Sequence, residues 1–192
     1  MKRNWIPFVG LSILLLFACS PDSQYHKMLE TEMASGVRYD SLFLGIYFGM
    51  PSKNFYAHCW KLNKEGIIRE GANNTSVNYP IQSFKEPASM DFYPRFVNDK
   101  IVEMPVYFAY KSWSPWNKDL FAEHLIIEVR QLMEEWYGPG FIEIPNPGPL
   151  GGNAYVKVNG NRRISIYYKD DTRVRVDFVD LLAKQELEHA TP

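Results

Sequence analysis

The chain has 192 residues, 21 basic against 22 acidic, of which 46% are hydrophobic and 15% aromatic. That apolar content excludes an intrinsically disordered chain, and the even charge balance leaves no basic excess to neutralise phosphates, so no nucleic-acid partner is expected. Two cysteines, Cys19 and Cys59, are too few for a disulfide framework.

The N-terminus carries the sharpest signal. Lys2 and Arg3 precede an apolar run from Trp5 to Phe17, the layout of a cleaved signal peptide. The run is shorter than the ~20 apolar residues that a bilayer-spanning helix needs. It ends in Leu16-Phe17-Ala18-Cys19, which resembles a lipobox: a leucine at −3, a small residue at −1, and a cysteine whose thiol takes a diacylglyceryl group. The expectation is a signal peptide over 1–18 and a lipid on Cys19 that tethers the protein to a membrane of the cell envelope. The outer membrane is the expected one, with the domain periplasmic or surface-facing. Each buried acyl methylene adds ~0.8 kcal/mol to such an anchor. Removing 1–18 leaves 174 residues, with 19 basic against 22 acidic, a charge near −3, and enough chain for one domain. Cys59 then has no intrachain partner.

Residues 19–40 read as a lipidated tether, polar from Ser20 to Gln24, with a short amphipathic turn near Tyr25 to Leu29. From Ser41 the pattern is that of a folded domain, 41–182. Leu42–Phe48 is a continuous apolar run closed by Gly49, which predicts a buried strand. Pro51-Ser52 predicts a helix start with serine as the cap. Phe55, Cys59 and Leu62 follow as one stripe, and Gly66 is the stop. Strands are predicted over about Thr75–Gln82, Met90–Val97 and Lys100–Lys111, with Asn98-Asp99 as a turn. Pro94 and Pro105 place edges or bulges in them. Phe121, Leu125, Val129, Leu132 and Trp136 form the clearest helical stripe, ended by Gly138-Pro139-Gly140. Ile144–Gly152 reads as loop. Val156 and Val158 lead into Asn159-Gly160, a dipeptide that favours a type I′ hairpin. Ile164, Ile166 and Tyr168, then Val174, Val176 and Phe178, alternate with polar or charged residues, as in an antiparallel sheet solvated on one side. Residues 183–192 read as a polar tail.

The element order predicts an α+β fold: two helix-plus-antiparallel-strand units in tandem, with both helices packed on one face of an antiparallel sheet. Leu44-Gly45-Ile46-Tyr47-Phe48-Gly49-Met50 followed by a helix resembles the opening of the small outer-membrane lipoproteins of the BamE (SmpA/OmlA) type and of the beta-lactamase-inhibitor-like fold. Pro51 stands where those families usually have a hydroxyl residue. That resemblance implies a glycine-methionine step into a helix lying on an antiparallel sheet. The string from Phe48-Gly49-Met50 through Phe55-Tyr56-Ala57-His58-Cys59-Trp60-Lys61-Leu62-Asn63 also resembles uncharacterised lipoproteins of the Bacteroidota, which implies compartment and no activity.

Candidate site residues each have a packing reading beside the functional one. His58-Cys59 offers a thiol beside a base, but neighbours on a helix point about 100° apart, and Cys59 lies on the apolar stripe, so packing is preferred. Trp113 and Trp116, with Tyr110 just before them, are candidates for contact with a partner or a glycan; otherwise they plug the sheet end. Arg163, Arg173 and Arg175, with Arg162, form a candidate strip for an anionic partner; otherwise they pair with carboxylates across strands. Asp40-Ser41-Leu42 fits a three-residue O-glycosylation pattern of envelope proteins, which marks Ser41. No nucleophile elbow, zinc-protease motif, phosphate loop or dinucleotide fingerprint is present, and neither Glu134-Glu135 nor Asp170-Asp171 has the facing arrangement of an acid–base pair. The expected function is therefore a non-enzymatic, lipid-anchored envelope protein that binds or scaffolds another protein, with no metal and no cofactor. The alternative is a glycan-binding surface lipoprotein using exposed tryptophans.

Overall fold

The computed structural model describes residues 21–71, 75–145 and 152–190. The fold is α+β, with four α-helices and a nine-stranded antiparallel sheet among the described residues. In chain order the elements are α1 (Pro21–Ala34), α2 (Ser52–Lys64), β1 (Arg69–Glu70), β2 (Val77–Ile81), β3 (Ala88–Phe92), β4 (Arg95–Val97), β5 (Lys100–Tyr110), α3 (Ala122–Tyr137), β6 (Ile142–Pro145), β7 (Asn153–Asn159), β8 (Arg162–Tyr168), β9 (Arg173–Asp180) and α4 (Leu181–Ala190). The sheet runs β1-β2-β3-β5-β9-β8-β7-β6, with β4 pairing β5 beyond the end of β3.

The strand alternation sorts the sheet into two faces. Met90, Val106, Phe108, Val174, Val176, Phe178, Ile164 and Ile166 point to one face and are fully buried. Helix α3 covers them with Ala122, Leu125, Ile126, Val129, Leu132 and Met133, and Phe55 of α2 joins the same core. The predicted stripe of α3 thus holds at Leu125, Val129 and Leu132. Trp136 lies at its margin, 36% exposed.

Several elements differ from the sequence reading. The segment read as a tether contains α1, because Tyr25, Met28, Leu29 and Met33 recur at helical spacing and find an apolar patch of Val158, Val179 and Leu181. Val158, Arg163 and Val179 are cross-strand partners, one residue out of step with the Ile164–Phe178 pair, so α1 lies on the other face of the sheet, and not every helix shares one face. The polar tail is helical through Ala190. Leu42–Phe48 is not a strand: Leu44 and Gly45 both take positive φ, so the run folds into a compact turn that still buries Leu42, Phe43, Ile46 and Phe48. An apolar run reports burial without reporting period. Ile142–Pro145, partly read as loop, is the edge strand beside β7.

Ser52 does not cap α2. Pro51 occupies the N-cap position without a side-chain cap bond, and the Ser52 hydroxyl donates to Asp99 Oδ1 instead. Asn98 and Asp99 both have positive φ, as the predicted turn requires. Pro105 sits where the β5 ladder passes from β3 to β4, beside the register shift at Arg95 and Phe96, so its missing N–H falls at an interruption. The C-terminal hairpin turns on Gly160-Asn161, one residue later than predicted. Only Gly160 has positive φ there, the pattern of a type II′ turn.

Candidate functional site

Trp113 and Trp116 lie on the connection between β5 and α3, which is held at several points. The Lys111 N–H donates to Pro87 O (2.9 Å) and the Asn117 N–H to Ser114 O (3.1 Å). The Asn117 side chain accepts from the Asp119 N–H (3.2 Å) and caps a 3₁₀ turn at Lys118–Leu120. The first residue of α3, Ala122, donates its N–H to Asp171 O (2.8 Å). Trp113 packs its ring 5.8 Å from that of Phe121, and Trp116 is 84% exposed. A pinned loop thus presents a large ring to solvent at little entropic cost on binding. Tyr110 does not join them. It is buried, and its hydroxyl donates to Glu128 Oε2 (2.8 Å); burial first, then that carboxylate, push its pKa well up. Glu128 also accepts from the Lys85 N–H (2.9 Å), so it is a clamp between α3 and the sheet end.

The arginines do not form one strip. Arg162 points into the core side, where its guanidinium lies 4.6 Å from the Tyr137 ring and donates to Ser41 O. Arg163 reaches Tyr25 of α1 (3.3 Å). Arg173 pairs with Asp170, and burial is outweighed there by the hydrogen bonds from Arg173 and Thr172 that hold the Asp170 carboxyl at about 2. Arg175 donates to Asp177 Oδ1 (2.8 Å) and lies 5.4 Å from the Tyr107 ring, while Tyr167 donates to the other Asp177 oxygen (2.5 Å). Arg173 and Arg175 pair with carboxylates as expected of a solvated face, but with neighbours in sequence, Asp170 and Asp177, rather than across strands.

His58 and Cys59 are separated in role. His58 Nε2 lies 2.6 Å from Leu44 O and braces the turn before α2. Cys59 is half-buried, and desolvation pushes its thiol up to about 11, away from thiolate chemistry. Ser41 is exposed, with its carbonyl held by Arg162. Cys19 lies outside the described residues. Among those residues no three His, Cys, Asp or Glu side chains gather to hold a metal ion, and no helix is long and apolar enough to cross a membrane.

Two arrangements were not foreseen. The first is a polar junction that docks the chain after α1 onto the β7–β8 hairpin. Gly160 N–H donates to Glu32 Oε2 (2.8 Å), and Tyr39 N–H to the side-chain oxygen of buried Asn161 (2.6 Å). Asn161 in turn donates to Asp40 and Asp180, and Arg38 bridges the same two carboxylates. The second is a groove of about 440 Å³ between α2 and the β1–β2 edge, flanked by Tyr56, Trp60 and Tyr93. Tyr56 and Trp60 at i, i+4, off the Phe55-Cys59-Leu62 stripe, were its only trace in the sequence.

Compared with known protein families, with curated proteins and with solved structures, the chain matches none.

Proposed function

We propose that this is a lipid-anchored cell-envelope protein that acts by binding another protein, without catalysis. The observation that carries the reading is Trp116, 84% exposed on a loop fixed at both ends. Tryptophan is the residue type most enriched among binding hot spots, since it buries much apolar area on contact. The docked helix α1 adds to the reading. It begins two residues after Cys19, so an acylated Cys19 would hold the domain close to the membrane surface with its polar junction fixing the orientation.

The resemblance to BamE-type and beta-lactamase-inhibitor-like lipoproteins belongs to this proposal, as does the tandem-unit architecture. In its favour, α2 is followed by β1–β5 and α3 by β6–β9, and the last strands of each set, β5 and β9, meet at the sheet centre. The first residue of each helix also donates its N–H to an aspartate carbonyl in the turn before that last strand: Ser52 to Asp99 (3.1 Å) and Ala122 to Asp171 (2.8 Å).

The test is a photo-crosslinking amino acid at position 116, with position 135 on the exposed side of α3 as control, in intact envelopes. The proposal expects one protein adduct from 116 and none from 135. Equal or absent protein adducts at both positions would refute it. Glycan binding through Trp113 and Trp116 is the second reading, favoured by the same exposure, and would give carbohydrate adducts at 116 instead.

A further inference from the structure

We infer that the groove beside α2 is a binding site for a neutral oligosaccharide, separate from the Trp113–Trp116 loop. Three aromatic side chains stand exposed around one concavity: Trp60 (66%), Tyr56 (51%) and Tyr93 (41%). Tyr56 and Tyr93 come from different elements, and their hydroxyls lie 2.6 Å apart, which fixes the two rings relative to each other. Phe55 and Phe96 pack edge-on beneath them and set their orientation. Rings supported in this way, yet facing water, lose little freedom on taking up a ligand.

The polar groups at the groove decide the class of ligand. Arg69, Glu70 and Asn63 supply donors and acceptors beside the aromatics. Arg69 and Glu70 offset each other, and Lys64, whose Nζ lies 5.7 Å from the Trp60 ring, leaves a single cation at the rim, too little charge to demand a strongly anionic ligand. A wholly apolar ligand would desolvate those groups without pairing them, which is costly. A sugar ring meets both demands. Its C–H face lies on an aromatic ring, and its edge hydroxyls pair with carboxylate, guanidinium and amide. The volume of about 440 Å³ is within the range of small-ligand sites, roughly 300–1,000 Å³, and the open groove admits a chain longer than it encloses.

The site is also distant from the tryptophan loop. The groove lies near the Phe92 end of β3, whereas Tyr110, at the start of that loop, pairs with Ala88 at the other end of the strand. That separation, four residues along a strand, is roughly 13 Å.

Cys59 lines the groove and gives a readout independent of aromatic fluorescence. The full chain is titrated with cellotetraose, chitotetraose and maltotetraose while the labelling rate of Cys59 by a maleimide and the tryptophan emission are followed. At least one of the three is expected to slow labelling about fivefold or more and to shift the emission. Trp60→Ala should weaken that binding about tenfold or more, the scale of losing an aromatic anchor, while Trp116→Ala leaves it unchanged. Because Trp60 is exposed, an unaltered unfolding midpoint certifies that Trp60→Ala is folded. The inference is overturned if none of the three sugars changes either readout. It is equally overturned if Trp60→Ala binds as the wild type does, or if only Trp116→Ala loses binding. The last result would move saccharide recognition to the β5–α3 loop and leave the groove without a role.

Discussion

Replacing Gly160 by alanine tests the junction that docks the N-terminal segment. Gly160 has φ +50, and a Cβ built there would overlap the Val37 carbonyl oxygen and come within 3.0 Å of the Val37 carbonyl carbon. Both are backbone atoms, so no side chain can swing aside. Gly49 is the natural control: its φ is +79, and nothing lies within 4 Å of an added Cβ. Positive φ alone costs an L-residue about 1–2 kcal/mol, and Gly49→Ala should cost no more than that. At Gly160 the segment over the hairpin must also lift. Lifting strains the bond from Gly160 N–H to the Glu32 carboxylate and the one from Tyr39 N–H to Asn161. A bond to a charged group contributes about 1.5–3 kcal/mol and a neutral one about 1 kcal/mol, so with the cost of positive φ Gly160→Ala should cost about 3.5–6 kcal/mol. That is a large share of the ~5–15 kcal/mol typical of a domain. Urea unfolding followed by circular dichroism reads both variants, and limited proteolysis between residues 35 and 41 reports whether the segment has lifted. Equal costs for the two variants, within about 0.5 kcal/mol, would refute the docking argument.

Other expectations follow from individual contacts. Leu125→Ala, at a fully buried position, should cost about 2–5 kcal/mol through lost transfer energy and the cavity left behind, whereas exposed Glu135→Ala should stay below about 0.5 kcal/mol in the same unfolding assay. Glu128→Ala should fall between them, since it removes the acceptor of both Tyr110 and the Lys85 N–H. Cys59 should label slowly in the native protein near neutral pH and rapidly in denaturant, because desolvation raises its pKa to about 11 and the thiolate is the reactive form. Asp170 has a folded pKa of about 2, below its unfolded value of about 3.9. Its contribution is therefore complete above the unfolded value and is lost as pH falls through the folded one; Asp170→Asn should flatten the stability profile in that acid window.

The sequence made some of this visible and hid the rest for identifiable reasons. Helix α3 was legible because Leu125, Val129 and Leu132 recur at helical period over about two turns, and β8 and β9 because Ile164, Ile166, Val174 and Val176 alternate. Helix α1 was legible only as a short turn near Tyr25 to Leu29, because its few apolar residues meet a small patch on the far face, where tertiary contact extends a weak local pattern. The 42–48 run misled because Leu44 takes positive φ, which residue type does not announce. Glu128 reads as a surface residue, and only the fold brings Tyr110 and Lys85 to it. Trp116, a candidate contact residue in the sequence, is 84% exposed, whereas Tyr110, named with it, turns inward by strand parity. The groove escaped notice because Tyr93 joins Tyr56 and Trp60 only through the tertiary fold.

The proposed role includes a lipid tether on Cys19, and intact mass spectrometry of the protein recovered from its native cells tests that tether most directly. The account predicts a mature chain that begins at Cys19 and carries the added mass of a diacylglyceryl group on that residue, and a Cys19→Ala variant that remains an unprocessed, unacylated precursor. A mature chain that begins elsewhere, or one with an unmodified Cys19, would contradict it.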